Sequence, residues 1–487
     1  MPTEGRSTLT SLTSTTRAGQ FCDHVNPVWG KALRLIGFDK TYVRALGSSL
    51  WDDEGREYLD LIGGYATTNV GRNHPVVREA LTEFLASEAP SMVQFERSAL
   101  AGEVAKALTG RVGRGLGKVF FTNSGTEGVE ACLKFARCTT KRPAFVAARG
   151  GFHGLSTGAL SLNGCESFRE GFGPFPETSR FVPFNDLPAL ERELSSGDVA
   201  AFVLEPIQGK GVNLPAPGYL AEASRVCRRH GTLFVVVEVQ TGIGRTGSFL
   251  AIDQEGEVEP DMVVLSKGLS GGYVPVGAVL LSDRVFRAVF SRLDRAIVHS
   301  STFHMGGLAM VAALATLRVF DEERLAENAK RIGGHLREGL ERLQERMEFI
   351  REIRQRGLMI GIEFGQPKSL TLKAAWAMTH ALDDNLFTQA ITIPLMEDHR
   401  ILTQTAGHGL DVLKLTPSLA LTVAEADRFL KAFEAVLQPL HRFPGPGWDL
   451  LKRLAANAIR RDAPTTSTTA PPCPPKANEP GYTSLDG

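Results

Sequence analysis

Six cysteines are scattered through 487 residues as Cys22, Cys132, Cys138, Cys165, Cys227 and Cys473, with no CxxC pair and no histidine partner at metal-ligand spacing. That pattern excludes a disulfide-stapled scaffold and gives no reason to expect a metal. The thiols read as those of a reduced, intracellular protein, and a cytoplasmic location is expected. Charge of one sign is also lacking. Lys plus Arg and Asp plus Glu number 54 each, so there is no basic field to attract nucleic acid. No apolar run approaches the ~20 residues of a membrane span, and no internal repeat is apparent. What is present is a chain of 43% hydrophobic residues, long enough for a large core and a second domain.

Two apolar runs stand out. LFVVVEVQTGIGRTG (233–247) and DMVVLSKGLSGG (261–272) each read as a strand that gives way to polar, glycine-rich sequence. The second places Lys267 where its strand ends. In an open α/β sheet the carboxyl ends of parallel strands border the ligand crevice. A lysine desolvated there loses its proton and can form a Schiff base, although a lone lysine is more often a solvated surface residue.

Other segments converge on the same edge. VFFTNSGTEGVEACLKFARC (119–138) reads as a strand over Val119–Phe121, a glycine turn and an amphipathic helix. Ser124, Gly125 and Thr126 fall at the helix start, where unpaired N–H groups and the dipole favour a phosphate; the same three residues also make an ordinary N-cap. GGFHGLSTGALSLNG brings Phe152 and His153, a flat apolar ring beside an imidazole. HSSTFH brings Ser301 and Thr302 ahead of another helix, and LEPIQGKG puts Glu205 at the end of an apolar strand.

In their order and spacing, DEGREYLDLIGG, GRNHP, SGTEGVEA, FHG, LEPIQG, EVQTGIGRTG, SKGLSGG and RGLMIGIEF resemble the class III aminotransferases, from about Trp51 to about Leu437. The resemblance implies a pyridoxal-phosphate fold of type I, with a mostly parallel sheet in a large domain and a smaller α+β domain. It implies a homodimer, a small-molecule amine donor and an oxo-acid acceptor. Lys267 would carry the cofactor as a Schiff base and later shuttle protons. Ser124, Gly125 and Thr126 would hold the phosphate, with Thr302 reaching it from a partner subunit. Phe152 would lie on the pyridine ring beside His153 and Glu205, and Gln240 would bond the phenolic oxygen.

Three features depart from the family pattern. Where relatives read Asp-Glu-Val-Gln, this chain reads Val237-Glu238-Val239-Gln240. The family aspartate keeps the pyridine nitrogen protonated, and a valine can do neither that nor accept its hydrogen bond. Glu238 is expected to point to the opposite face of its strand. Three explanations of Val237 stand: a weakened cofactor-binding relative, a chemistry that tolerates a neutral pyridine, or a variant of an ordinary enzyme. A lyase or aminomutase on the same cofactor is a further alternative. Second, Lys210 and Lys414 occupy positions where relatives acting on amino acids often carry Glu and Arg. Two lysines would repel, neither offers the bidentate fork, and both would be solvated or else part of a pocket for amine or ω-amino compounds. Third, HMGG (304–307) follows Thr302, and its glycines are expected to loosen the next helix.

The expected organisation is a disordered leader (1–20), an amino-terminal part of the small domain (21–60), a large cofactor-binding domain (61–325), a carboxyl-terminal small domain (326–442) and a Pro/Thr-rich, mostly disordered tail (443–487) with a helix-like run at 449–461. One long amphipathic helix is expected to lead into the small domain. RGLMIGIEF and the residues before it should supply a strand there, and Thr422 with Glu425 should cap a closing helix.

Overall fold

The computed structural model describes residues 20–381, 386–407, 409–445, 447–448 and 451; all but the last residue of the expected leader, and most of the tail, lie outside them. Alternating strands and helices build a seven-stranded sheet in the order Lys118–Thr122, Gly277–Leu281, Met262–Leu265, Leu233–Val237, Val199–Leu204, Ala144–Ala148, Ser179–Val182. Gly277–Leu281 runs antiparallel to both its neighbours, and every other pairing among strands 144–265 is parallel. The sheet is therefore the mostly parallel one that the strand–helix alternation predicts.

Its strands are apolar at nearly every position because both faces are covered. Phe234 and Val236 pack into one core with Phe202, Leu204, Val263 and Leu265. Leu233, Val235 and Val237 pack into the other, against Val129, Cys132 and Phe135 of the helix Gly125–Thr140. The period of two along each strand thus decides which helix layer a residue meets.

A second core gathers the carboxyl-terminal elements. Its antiparallel sheet joins Ile350–Arg356, Met359–Phe364, Val412–Leu415 and Gln404–Thr405. The stretch read as a single strand is a hairpin, turned at Gly357 with φ +53°. The stretch read as one connecting helix is two, Gly307–Glu322 and Leu325–Gln344, broken at Arg324, which is left-handed at φ +51°. No glycine or proline marks the break, so sequence punctuation could not reveal it. The amino-terminal strands Tyr42–Leu46, Ser49–Asp52 and Glu57–Asp60 form a separate sheet with Ile401–Leu402, parallel to the last of them. The closing helix Val423–Leu437 carries the expected capping box: Thr422 accepts from Glu425 N, and the Glu425 carboxylate accepts from Thr422 N at 2.7 Å.

Gly307 begins its helix in close contact with a neighbouring element. A Cβ there would lie 2.4 Å from Phe84 Cζ, so glycine is what lets the helix Gly307–Glu322 pack that closely.

Candidate active site

Lys267, Glu205 and Val237 stand at the carboxyl ends of three consecutive parallel strands, with Leu204 in register with Val236 and Val237 with Val264. Two residues beyond its strand, Lys267 adopts φ +43° and opens a short turn through Ser270. A left-handed lysine is strained, and such strain persists where the surroundings over-determine the backbone. Ser266 helps to hold it, donating from Oγ to Val276 O at 2.8 Å. Lys267 as a whole residue is half-buried. Dense surroundings nonetheless pull its pKa below the ordinary lysine value by desolvation, opposed by the charge of Glu205.

Glu205 is the hinge of this corner. Its Oε2 accepts from Phe152 N at 2.8 Å and its Oε1 from Gly209 N at 3.0 Å, tying two loops together. Burial raises its pKa, while those N–H groups, Lys414 and Lys267 pull the other way. Beside half-buried Phe152, His153 is buried, and both its ring nitrogens lack a hydrogen-bond partner among the described residues. Burial lowers its pKa to about 4, so the ring is neutral near pH 7. The sequence reading missed what shapes this loop. Asn163 accepts from His153 N at 2.7 Å and donates to Gly154 O at 2.9 Å.

Ser124 caps the helix Gly125–Thr140 as expected, accepting from Glu127 N. The N–H groups of Gly125 and Thr126 have no acceptor within the helix. Gly125 allows a close approach, because a Cβ there would lie 2.9 Å from both methyl groups of Val239. Thr126 Oγ1 meets Ser156 Oγ at 2.5 Å, a partner that no local motif announced.

Val237 is buried among aliphatic side chains. Glu238 does turn the other way: its carboxylate accepts from Thr241 Oγ1 and from Ile252 N at 3.0 Å, and burial lifts its pKa to about 7. Lys414 corrects the solvated reading. It is only 5% exposed and donates to Gly209 O and to Gln240 Oε1 at 2.7 Å. Burial and the neighbouring Lys267 bring its pKa down to about 7. Lys210 places its Nζ 3.7 Å from the centroid of Phe168, whose ring packs edge-on against Phe152. Thr302 is exposed, and its neighbour Ser301 accepts from Asn123 Nδ2 at 2.8 Å within the same chain.

The sequence profile described as "Aminotransferase class-III" matches residues 37–437. The chain belongs to the class III aminotransferases. It is 42% identical over 329 residues to an acetylornithine aminotransferase of Methanopyrus kandleri, covering 67% of this chain and 82% of that protein. It is 36% identical over 451 residues to Aminotransferase PigE of Serratia sp., covering 86% of this chain but only 53% of PigE. Among solved structures, the ornithine aminotransferase of Toxoplasma gondii ME49 matches at TM-score 0.76 and 29% identity, over 88% of this chain and 96% of that one. An (S)-enantioselective ω-transaminase of Thermomicrobium roseum matches at TM-score 0.77 and 28% identity, over 89% and 100%.

Class III aminotransferases depend on pyridoxal phosphate, and a Toxoplasma gondii structure 30% identical to this chain carries it at partial occupancy in its active site. The residues here suit that cofactor on most sides. A desolvated amine faces the crevice, a helix start offers free N–H groups for a phosphate, and neutral His153 leaves two ring nitrogens unpartnered. At Val237 the acidic partner is missing. Among the described residues no group of His, Cys, Asp and Glu could hold a metal ion, and no helix is long and apolar enough to cross a membrane.

Proposed function

We propose that this aminotransferase moves an amino group from an amine or ω-amino donor to an oxo acid, with Lys267 as the point of attachment for pyridoxal phosphate. The observation that carries the reading is the amine of Lys267 at the carboxyl end of its strand, its pKa lowered by desolvation beside Glu205. When bound, the cofactor supplies an electron sink for a carbanion at the substrate carbon that bears nitrogen. Ser124, Gly125 and Thr126 would hold its phosphate, Phe152 would cover its ring, and Gln240 would donate to its phenolic oxygen. The Lys267 amine would be the nucleophile that attaches the cofactor and, once displaced, the group that carries protons.

The donor class rests on the two lysines. Lys414 spends its hydrogens on Gly209 O and Gln240, and Lys210 lies over Phe168, so neither offers a carboxylate a two-pronged grip. A likeness to proteins named amine transaminase and ω-transaminase supports the same choice. A homodimer is part of the proposal, with Thr302 completing the neighbouring phosphate site. Supporting it, Phe95 is 97% exposed and Phe303 67%, on segments brought together where Met92 approaches Gly306.

A second reading, a cofactor-binding protein with weakened turnover, draws on Val237. Without the acid, an uncharged pyridine is a poorer sink, by roughly 3 kcal/mol or on the order of a hundredfold in rate. Borohydride reduction of the cofactor-loaded protein followed by peptide mapping tests the shared core of both readings. Cofactor fixed on the peptide bearing Lys267, and absent in Lys267→Ala, is expected; cofactor fixed on another lysine contradicts the assignment.

A further inference from the structure

The Gln240 carboxamide is held by two partners of opposite kind. Its Oε1 accepts from Lys414 Nζ at 2.7 Å, and its Nε2 donates to Tyr65 O at 3.2 Å. A backbone carbonyl can only accept, so the nitrogen must face Tyr65 and the oxygen must face the amine. Lys414 also donates to Gly209 O, the backbone of the loop whose N–H bonds Glu205. Both bonds come from one amine with no slack, since Lys414 is buried in the strand Val412–Leu415, paired with Gly361 on one side and Gln404 on the other. One Nε2 hydrogen of Gln240 is thereby spent and one is left to donate.

We propose that Lys414 is a positioning residue for the cofactor: it locks the Gln240 carboxamide in the single orientation that presents an N–H, and not a carbonyl, to the phenolic oxygen. The inference rests on the cofactor reading above and deepens it. Without Lys414, Oε1 loses its donor and only the 3.2 Å bond to Tyr65 O still opposes a turn of the amide that would aim its acceptor at the phenolic oxygen. The amine meets the requirement protonated or not, since both states have two hydrogens for Gly209 O and Gln240 Oε1. In this chain Lys414 therefore serves the cofactor's surroundings, leaving recognition of substrate carboxylates to other groups.

The test is equilibrium binding of pyridoxal phosphate to the full-length apo-protein, together with the visible spectrum of the loaded form, for wild type, Lys414→Met, Lys414→Arg, Gln240→Leu and the Met/Leu double variant. Lys414→Met should weaken cofactor binding about tenfold, as expected for one misdirected buried hydrogen bond. It should shift the absorption band in the same direction as Gln240→Leu, and the double variant should be no worse than Gln240→Leu alone. Lys414→Arg, which still donates, should stay within about threefold of wild type. Additive losses in the double variant, or a Lys414→Met protein with wild-type affinity and band, overturn the proposal. So does a Lys414→Met protein altered only in its affinity for oxo acids, which would make Lys414 a substrate contact. Should Lys414→Met fail to fold, a folded Lys414→Arg that behaves like Gln240→Leu overturns it equally. Failure of the underlying cofactor reading is visible separately, as wild type with no borohydride-fixed cofactor on Lys267.

Discussion

Val237 pairs with Val264 across two parallel strands, and Lys267 follows three residues later, so the strand end beside the reactive lysine carries methyl groups where an acid would keep the cofactor's pyridine protonated. The adjoining acid does not compensate. Glu238 is turned to Thr241 and Ile252, on the other side of the sheet.

Restoring the acid should therefore restore the sink. Val237→Asp is expected to raise turnover about a hundredfold with the best amine donor, the inverse of the loss argued for valine. It should also lower the melting temperature of the apo-protein, because a carboxyl group would enter an aliphatic environment. Steady-state rates and apo-protein melts check both effects. An unchanged rate in a folded, loaded variant counts against the electron-sink argument.

Lys414 predicts a pH dependence of stability. Its pKa is pulled from 10.5 to about 7 by burial, Lys267 and Arg245, against the attraction of Glu205. Between about pH 7 and the ordinary lysine value the unfolded chain binds more protons than the folded one, so stability rises with pH across that window. Urea midpoints of the apo-protein at pH 7 and 9.5 should increase in wild type by more than in Lys414→Met. Equal increases in the two proteins would show that the amine is not suppressed in this way.

Arg245 is a buried staple. Its guanidinium donates to Leu358 O at 3.1 Å, Pro417 O at 2.5 Å and Asn69 Oδ1 at 2.7 Å. Among the described residues no carboxylate lies close enough to offset burial, which lowers its pKa to about 9. Arg245→Met removes a costly charge but leaves three acceptors facing an apolar side chain. At about 1–3 kcal/mol per orphaned acceptor the second effect wins, and a net loss of about 2 kcal/mol or more is expected in urea denaturation.

Two helical glycines should respond oppositely to the same change. At Gly334 nothing lies within 4 Å of an added Cβ, so Gly334→Ala should stabilise by about 0.5–1 kcal/mol through helix propensity. At Gly307 the Cβ would press on Phe84 Cζ at 2.4 Å, and overpacking of about 1–3 kcal/mol should outweigh that gain. Thermal melts of the two variants should move in opposite directions.

The parts legible in the sequence are those whose cause is local. Lys267 follows an apolar run by two residues, Ser124 sits directly before its helix, and Thr422 and Glu425 cap one another within a single turn. What stayed hidden depends on partners far along the chain. Lys414 and Gln240 are 174 positions apart, and Arg245 and Pro417 are 172 apart. No motif announces that such residues will meet, so a lysine whose reading stays open between solvent and a substrate pocket proves to be buried. Thr126 and Ser156 are 30 apart and were missed for the same reason. The break at Arg324 escaped because no glycine or proline marks it and only the backbone turns.

The most direct measurement is amino-group transfer by the full-length protein supplied with pyridoxal phosphate, a panel of amines, ω-amino and α-amino compounds, and an oxo acid. Carbonyl product and new amino acid would be quantified together. Transfer from an amine or ω-amino donor, in equal amounts of the two products and lost in Lys267→Ala, is the result the account predicts. Transfer confined to α-amino donors would contradict the donor class read from Lys210 and Lys414, and transfer surviving in Lys267→Ala would contradict the account at its centre.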